Sequence, residues 1–137
     1  MVDLVITAAS VVRGDGAKVL RGDHGETNTA GQVVYRDATS KNFLKADNDS
    51  ATAAVRDAIG IALNGGSNGQ PAAIQYEGEI NLGAILTVGE TYCLSSNAGG
   101  ICPIGDLASG DYPVILGVAR TAAILVMGIV KGGAAKP

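Results

Sequence analysis

Residues 69–94 read GQPAAIQYEGEINLGAILTVGETYCL, and short apolar or alternating runs at 72–77, 80–82, 85–88 and 91–94 are separated there by glycine-bearing turn signals. The clearest run is Glu79-Ile80-Asn81-Leu82, which places Ile80 and Leu82 on one face of a strand and Glu79 and Asn81 on the other, the pattern of a half-buried strand. The same punctuation extends outward in both directions. Turn-forming clusters such as Arg13-Gly-Asp-Gly, Ala30-Gly-Gln, Asn64-Gly-Gly-Ser-Asn-Gly, Ala98-Gly-Gly and Ser109-Gly-Asp recur about every eight to twelve residues. Further strand-compatible runs lie at 2–12, 32–36, 43–46, 58–63, 114–120 and 122–130. This rhythm predicts an all-β chain, a compact β-barrel or β-sandwich-like domain. One short helix is predicted over residues 50–58, where Ser50 is placed to cap a run of alanines. The N-terminal segment is predicted to be extended. Residues 1–27 are read as a strand or arm with its loop, and 28–137 as the barrel-like unit, the whole forming one folding unit.

Composition agrees with that reading. The chain has 137 residues with 20 glycines, one phenylalanine, Phe43, and no tryptophan. Glycine at about twice its ordinary usage is costly inside helices and at home in turns and bulges. The formal net charge of −3 and the scattered Lys and Arg argue against phosphate neutralisation, so no nucleic acid is expected as a partner. Residues 13–21, where the basic residues are densest, are interrupted by acids and read as a solvated loop. The longest apolar run, 122–130, is too short for a membrane-spanning helix, and the acidic N-terminus lacks the pattern of a secretory signal, so no membrane partner is expected.

Candidate chemistry is sparse. The single histidine, His24, lies between Asp23 and Gly25 and reads as a solvated loop residue. Asp47, Asp49, Asp106 and Asp111 fall in turn-rich segments, where aspartate is favoured for local backbone hydrogen bonds. Asp47-Asn48-Asp49 begins like a calcium loop without its later ligands, and the glycine-rich 64–69 segment lacks the ending of a phosphate loop. Cys93 and Cys102 flank a hairpin tip that can bring them opposite one another; a disulfide is geometrically possible, with buried free thiols the default in a reducing compartment. Arg13-Gly14-Asp15 and Arg21-Gly22-Asp23 are expected in exposed loops with a structural role. No catalytic residue, metal site or cofactor is expected, and the chain is read as non-enzymatic.

The segments 114–120 and 122–130 do not alternate, so both their faces should be covered, either by a neighbouring subunit or by a loop or the short helix. The mean hydropathy of +0.26 also suits burial of apolar surface between subunits.

The ordered set Thr29-Ala-Gly-Gln-Val-Val-Tyr-Arg-Asp37, Leu44-Lys-Ala-Asp-Asn-Asp49, Gly78-Glu-Ile-Asn-Leu-Gly83, Val88-Gly-Glu-Thr-Tyr-Cys-Leu-Ser95, Gly99-Gly-Ile-Cys-Pro103 and Ser109-Gly-Asp-Tyr-Pro-Val-Ile-Leu-Gly-Val-Ala119 resembles small structural proteins of tailed-phage virions. These are capsid decoration (cement) or head-fibre proteins. The resemblance spans about residues 28–130 and implies a β-barrel-like domain that oligomerises and binds the outside of a capsid, stabilising it. Implied partners are the major capsid protein and further copies of the chain, with a trimer expected over a dimer. The implied location is the capsid exterior, after assembly in the host cytoplasm. The alternative is a fibre, tail or baseplate component that binds the host surface, with the Arg-Gly-Asp segments at its tips. The residues expected to contact capsid or neighbouring subunits are Val2, Leu4, Ile6, Val11 and Val12, from a segment pairing with a capsid strand or lying along the shell, and Ile124, Val126 and Ile129.

Overall fold

The computed structural model describes residues 3–137 and is nearly all β. Its strands are β1 (Val12–Arg13), β2 (Lys18–Asp23), β3 (Val33–Arg36), β4 (Phe43–Lys45), β5 (Gly60–Ala62), β6 (Pro71–Asn81), β7 (Thr91–Leu94), β8 (Ile101–Pro103), β9 (Val114–Ala119) and β10 (Ile124–Lys131). The one α-helical turn, α1, is Ala53–Arg56. All strand pairs between named strands are antiparallel, and the path β4-β3-β5-β6-β10-β9-β7-β8 forms a single curled sheet to which β1 and β2 add along β6.

β6 is the spine. Gln75 pairs with both Val19 and Ile61, and Asn81 pairs with both Val12 and Ile124, so each half of this strand has a partner on either flank. Two separate runs, 72–77 and 80–82, are expected from the sequence, with a turn at Glu77-Gly78; instead they join into one eleven-residue strand. Gly78 adopts φ +88°, which bends the strand without ending it, and the carbonyl oxygen of Gly16 lies 2.3 Å from where a β-carbon would stand. A side chain braces the kink from within. The Gln75 amide, fully buried, donates from Nε2 to the oxygens of Glu77 (3.1 Å) and Glu79 (2.7 Å), one on each side of the bend.

The concave side of the curl holds the main core, with Val33, Ile61, Ile80, Leu82, Leu94, Ile101, Leu116 and Leu125 essentially inaccessible. Ile80 and Leu82 share this interior, as the Glu79–Leu82 alternation predicts. The two ends of the sheet meet through main-chain bonds rather than a strand ladder. The turn between β7 and β8 reaches β3 and β4 by Val33 N–H donating to the Gly99 oxygen (3.0 Å) and Gly99 N–H donating to the Ala46 oxygen (2.7 Å). A smaller cluster, with Phe43, Val34, Ala62 and Ile74, fills the space under β2, where the Phe43 ring lies 2.8 Å from a β-carbon built on Gly22.

Several expectations are corrected by the structure. The 2–12 segment is not a strand within its described part: Leu4 N–H makes one bond, to the Ile101 oxygen, Ala8–Ser10 form a 3-10 turn, and only Val12 enters a ladder. Residues 85–88 form a loop, since Leu86 N–H bonds the Ala122 oxygen and Thr87 N–H bonds the Tyr92 hydroxyl, and Leu86 alone of the four is buried. The basic segment read as a solvated loop supplies residues 18–21 of β2, a strand paired with β6 whose charged side chains Lys18, Arg21 and Asp23 are exposed; Lys18 meets Glu77 across the pair at 2.8 Å. Arg21-Gly22-Asp23 is therefore strand rather than loop, and only Gly14-Asp15 of the first tripeptide lies outside a strand. The helix predicted over 50–58 shrinks to the single turn of α1, with strand resuming at Gly60.

Candidate interaction face

β9 and β10 pair side by side, with Val118 opposite Val126 and Gly117 opposite Met127. This closeness depends on Gly117, where a β-carbon would lie 2.2 Å from the Val126 oxygen. Side chains of Leu116, Ala119, Leu125 and Met127 turn inward to the core. The opposite face carries Val118, Val126 and Val130, exposed by 44%, 40% and 59%. One end of this outer face is covered: Ile115 packs with the buried Cys93, Cys102 and Leu107, the last arriving from the 3-10 turn Ile104–Asp106. The loop cover expected for the unalternating strands thus exists over Ile115, while the valines remain bare.

The face continues across the spine. Val126 pairs with Glu79, and Val12, Asn81 and Ile124 form one cross-strand row, so their side chains share the outer side of the sheet. One ion pair borders it, Arg120 with Glu79 at 2.7 Å; Lys131, next to the outward Val130 but paired with the inward Val114, turns to the other side, where its ammonium meets Asp57 and donates to the Ala58 oxygen at 3.1 Å. An apolar centre with a polar edge is the usual layout of a protein contact surface.

Of the residues expected at contacts, Val12, Ile124 and Val126 come together on this face. Ile129, half-buried, packs against the main core, as do Leu4 and Ile6, and Val11 is a core residue. Val2 lies outside the described residues. The N-terminal segment is held to its own domain at Asp3, whose carboxylate accepts from the Ser95 hydroxyl (2.6 Å) and the Asn97 amide (3.0 Å). Val118 and Val130 were not among the expected contact residues. Val118 is legible only once its register against Val126 is known; Val130 closes a run of apolar residues that hides which members point outward.

The polar candidates have structural duties. His24 is fully buried, contrary to the solvated loop expected, because the chain after β2 turns under Phe43. Its main chain bonds Gln70 and Gly69, and its Nδ1 lies 3.0 Å from the Asn28 amide nitrogen, which also donates to the Phe43 oxygen. Asn48 is buried too and donates to the Leu94 oxygen at 2.7 Å. Asp47 accepts from Asp49 N–H, the turn role expected for it. A concavity of about 410 Å³ opens beside α1, where the Arg56 guanidinium stacks 3.7 Å over the Tyr112 ring and donates to the Ser50 oxygen. No group of three or more His, Cys, Asp or Glu side chains placed to hold a metal occurs among the described residues.

The Asp47 carboxyl is pushed up from 3.8 to about 6, chiefly by burial, then by a side-chain hydrogen bond with Asp49 and the negative charges of Asp49 and Asp111, against the opposing pull of the Asp49 N–H. The folded protein therefore holds this proton more tightly than the unfolded chain. Its contribution to stability is greatest below about pH 4 and falls as pH rises through about 6. Asp47→Asn is expected to flatten stability across that window and to leave the protein at least as stable as wild type at pH 7. Because Asp47 is only half-buried, the gain is under about 1 kcal/mol. Urea unfolding at pH 4, 5, 6 and 7 measures it, and an unchanged slope would refute the assignment.

Compared with protein-family models, curated proteins and solved structures, the chain matches none.

Proposed function

We propose that this protein is a structural component of a tailed-phage virion, a decoration protein that self-associates and binds the outer surface of the head shell. The observation that carries the proposal is the bare row of Val118, Val126 and Val130 on the outer side of the sheet, bordered by the Arg120–Glu79 ion pair and continuous with Ile124 and Val12. Leaving valines in water forgoes about 25 cal/mol for each Å² of apolar surface, a loss recovered when a second surface covers them. The ordered motifs that resemble phage decoration and head-fibre proteins supply the setting. In that setting a trimer bridges neighbouring copies of the major capsid protein. Each occupied site adds RT ln(1 + [L]/Kd) to the stability of the shell, so many weak contacts sum to a large effect.

The fibre-tip alternative draws less support, because Arg21-Gly22-Asp23 is paired strand rather than a presented tip. Copy number separates the two. Decoration predicts copies spread over the shell, on the order of hundreds per particle, seen by virion reconstruction or quantitative gel; a few copies at one vertex or on the tail would overturn it.

A further inference from the structure

We infer that Cys93 and Cys102 are a site of intramolecular disulfide formation, a covalent clasp across the β7–β8 hairpin. The register places the two residues directly opposite one another. The kind of pair follows from the neighbouring bonds. Ser95 N–H donates to the Gly100 oxygen at 3.0 Å, which makes Ser95 and Gly100 a hydrogen-bonded pair. The alternation of an antiparallel ladder then makes Leu94–Ile101 non-bonded and Cys93–Cys102 bonded. Two independent facts agree. The Ile101 oxygen points away from β7 and accepts from Leu4, and Pro103, which has no N–H to give, stands at the next non-bonded position, opposite Tyr92.

A bonded pair sets α-carbons about 5.5 Å apart, inside the roughly 4.4–6.8 Å range that a disulfide spans. Both side chains also point the same way, into one small cluster with Leu107 and Ile115. Both are free thiols in the structure and fully buried. Burial pushes Cys93 up to about 11 and Cys102 up to about 12, the latter also raised by the neighbouring Cys93. Few thiolates exist at neutral pH, so an oxidant reaches them slowly in the closed hairpin and readily before it closes.

The co-reactant is a small-molecule disulfide such as oxidised glutathione. One cysteine thiolate attacks it, forming a mixed disulfide and releasing one glutathione thiol. The second cysteine thiolate attacks the protein-bound sulfur and releases the other. The protein loses two protons and two electrons, one protein S–S bond forms, and one glutathione disulfide becomes two thiols. The clasp would close the hairpin whose Gly99 turn joins the two ends of the sheet. Its value to a particle leaving a reducing cytoplasm rests on the virion reading; the bridge itself does not.

The test is equilibration of the full chain in reduced and oxidised glutathione, once from native reduced protein and once by refolding from urea in the same buffer, with a parallel set kept in urea. Mass spectrometry and thiol titration in denaturant read the products. The expected result is a monomer lighter by two hydrogens with no titratable thiol, formed at a more reducing glutathione ratio under native conditions than in urea, and with a raised unfolding midpoint. Cys93→Ser and Cys102→Ser should each yield only the glutathione adduct or the free thiol. Refolded protein that remains a dithiol, or that bridges no more readily than the urea-held chain, would overturn the inference. Failure of this test leaves the decoration proposal standing, since that proposal is read from copy number and not from thiols.

Discussion

Gly78→Ala is expected to destabilise the protein by about 3–5 kcal/mol, enough to consume much of the roughly 5–15 kcal/mol that holds a domain of this size together. Two costs add. A residue with a β-carbon at φ +88° loses about 1–2 kcal/mol to the left-handed backbone alone. The added methyl must also displace the Gly16 carbonyl, 2.3 Å from its position, and with it the turn that carries β1 into β2. That turn cannot shift freely, because Gly14 N–H bonds the Glu79 oxygen at 2.7 Å and Glu79 N–H bonds the Asp15 oxygen at 2.9 Å. Gly69→Ala is the control: its φ is +88° as well, but nothing lies within 4 Å, so only the backbone cost of about 1–2 kcal/mol applies. Thermal or urea unfolding followed by circular dichroism separates the two. Equal losses at both positions would mean that the Gly16 turn yields and is no part of what fixes the bend.

Val126→Asp is expected to leave the fold intact and weaken self-association strongly. The position is solvent-exposed in the single chain, and its strand is held by main-chain bonds and by the inward Leu125 and Met127, so a carboxylate there meets water. In an assembly the same carboxylate would be buried among Val118, Val130 and their counterparts, beside Glu79. Removing a central contact and stranding a charge costs about 2–4 kcal/mol, a ~30- to 1,000-fold weaker association. Sedimentation velocity over a range of concentrations reads the change, and retention on purified capsids reads its consequence. Val5→Asp is the matched control for self-association, since Val5 is 86% exposed and lies outside β1, β6, β9 and β10, the strands of this face. Wild-type protein that stays monomeric at every concentration, or a Val126→Asp variant that assembles normally, would remove the basis of the proposed contact.

The sequence was informative where side-chain alternation and turn chemistry speak together, and silent where one residue serves two purposes. β3, β4, β5, β7 and β9 lie within the runs expected for them, and β10 oversteps its run only at Lys131, because each is an apolar stretch bounded by turn residues. The hairpin that opposes Cys93 and Cys102 was likewise legible. Gly78 was misread because a glycine that kinks a strand and one that ends it look alike until the Gly16 turn docks on it. β2 was missed since an edge strand carries charge to keep other strands away, and Lys, Arg and Asp then imitate a loop. His24 follows the same logic in reverse. Flanked by Asp23 and Gly25 it has every local mark of exposure, and neighbours distant in sequence bury it: Phe43 bridges its main chain and Gly66 closes on its ring. For the candidate face, Ile124 and Val126 could be named from the unalternating strand, but their union with Val12 required the Val12–Asn81–Ile124 row.

The central position of β6 has a consequence for how the chain reaches this state. At Asn81 its two partners come from opposite ends of the sequence, Val12 and Ile124, so the spine's second half is not flanked on both sides until the last strand has been synthesised. Pairing across such separations requires closing long loops before their contacts can reward them, which slows folding relative to chains built from neighbouring hairpins. On the ribosome, β6 must wait with one edge open while some forty further residues emerge, and the outward carboxylate of Glu79 beside that edge helps keep it from pairing with a stranger in the meantime.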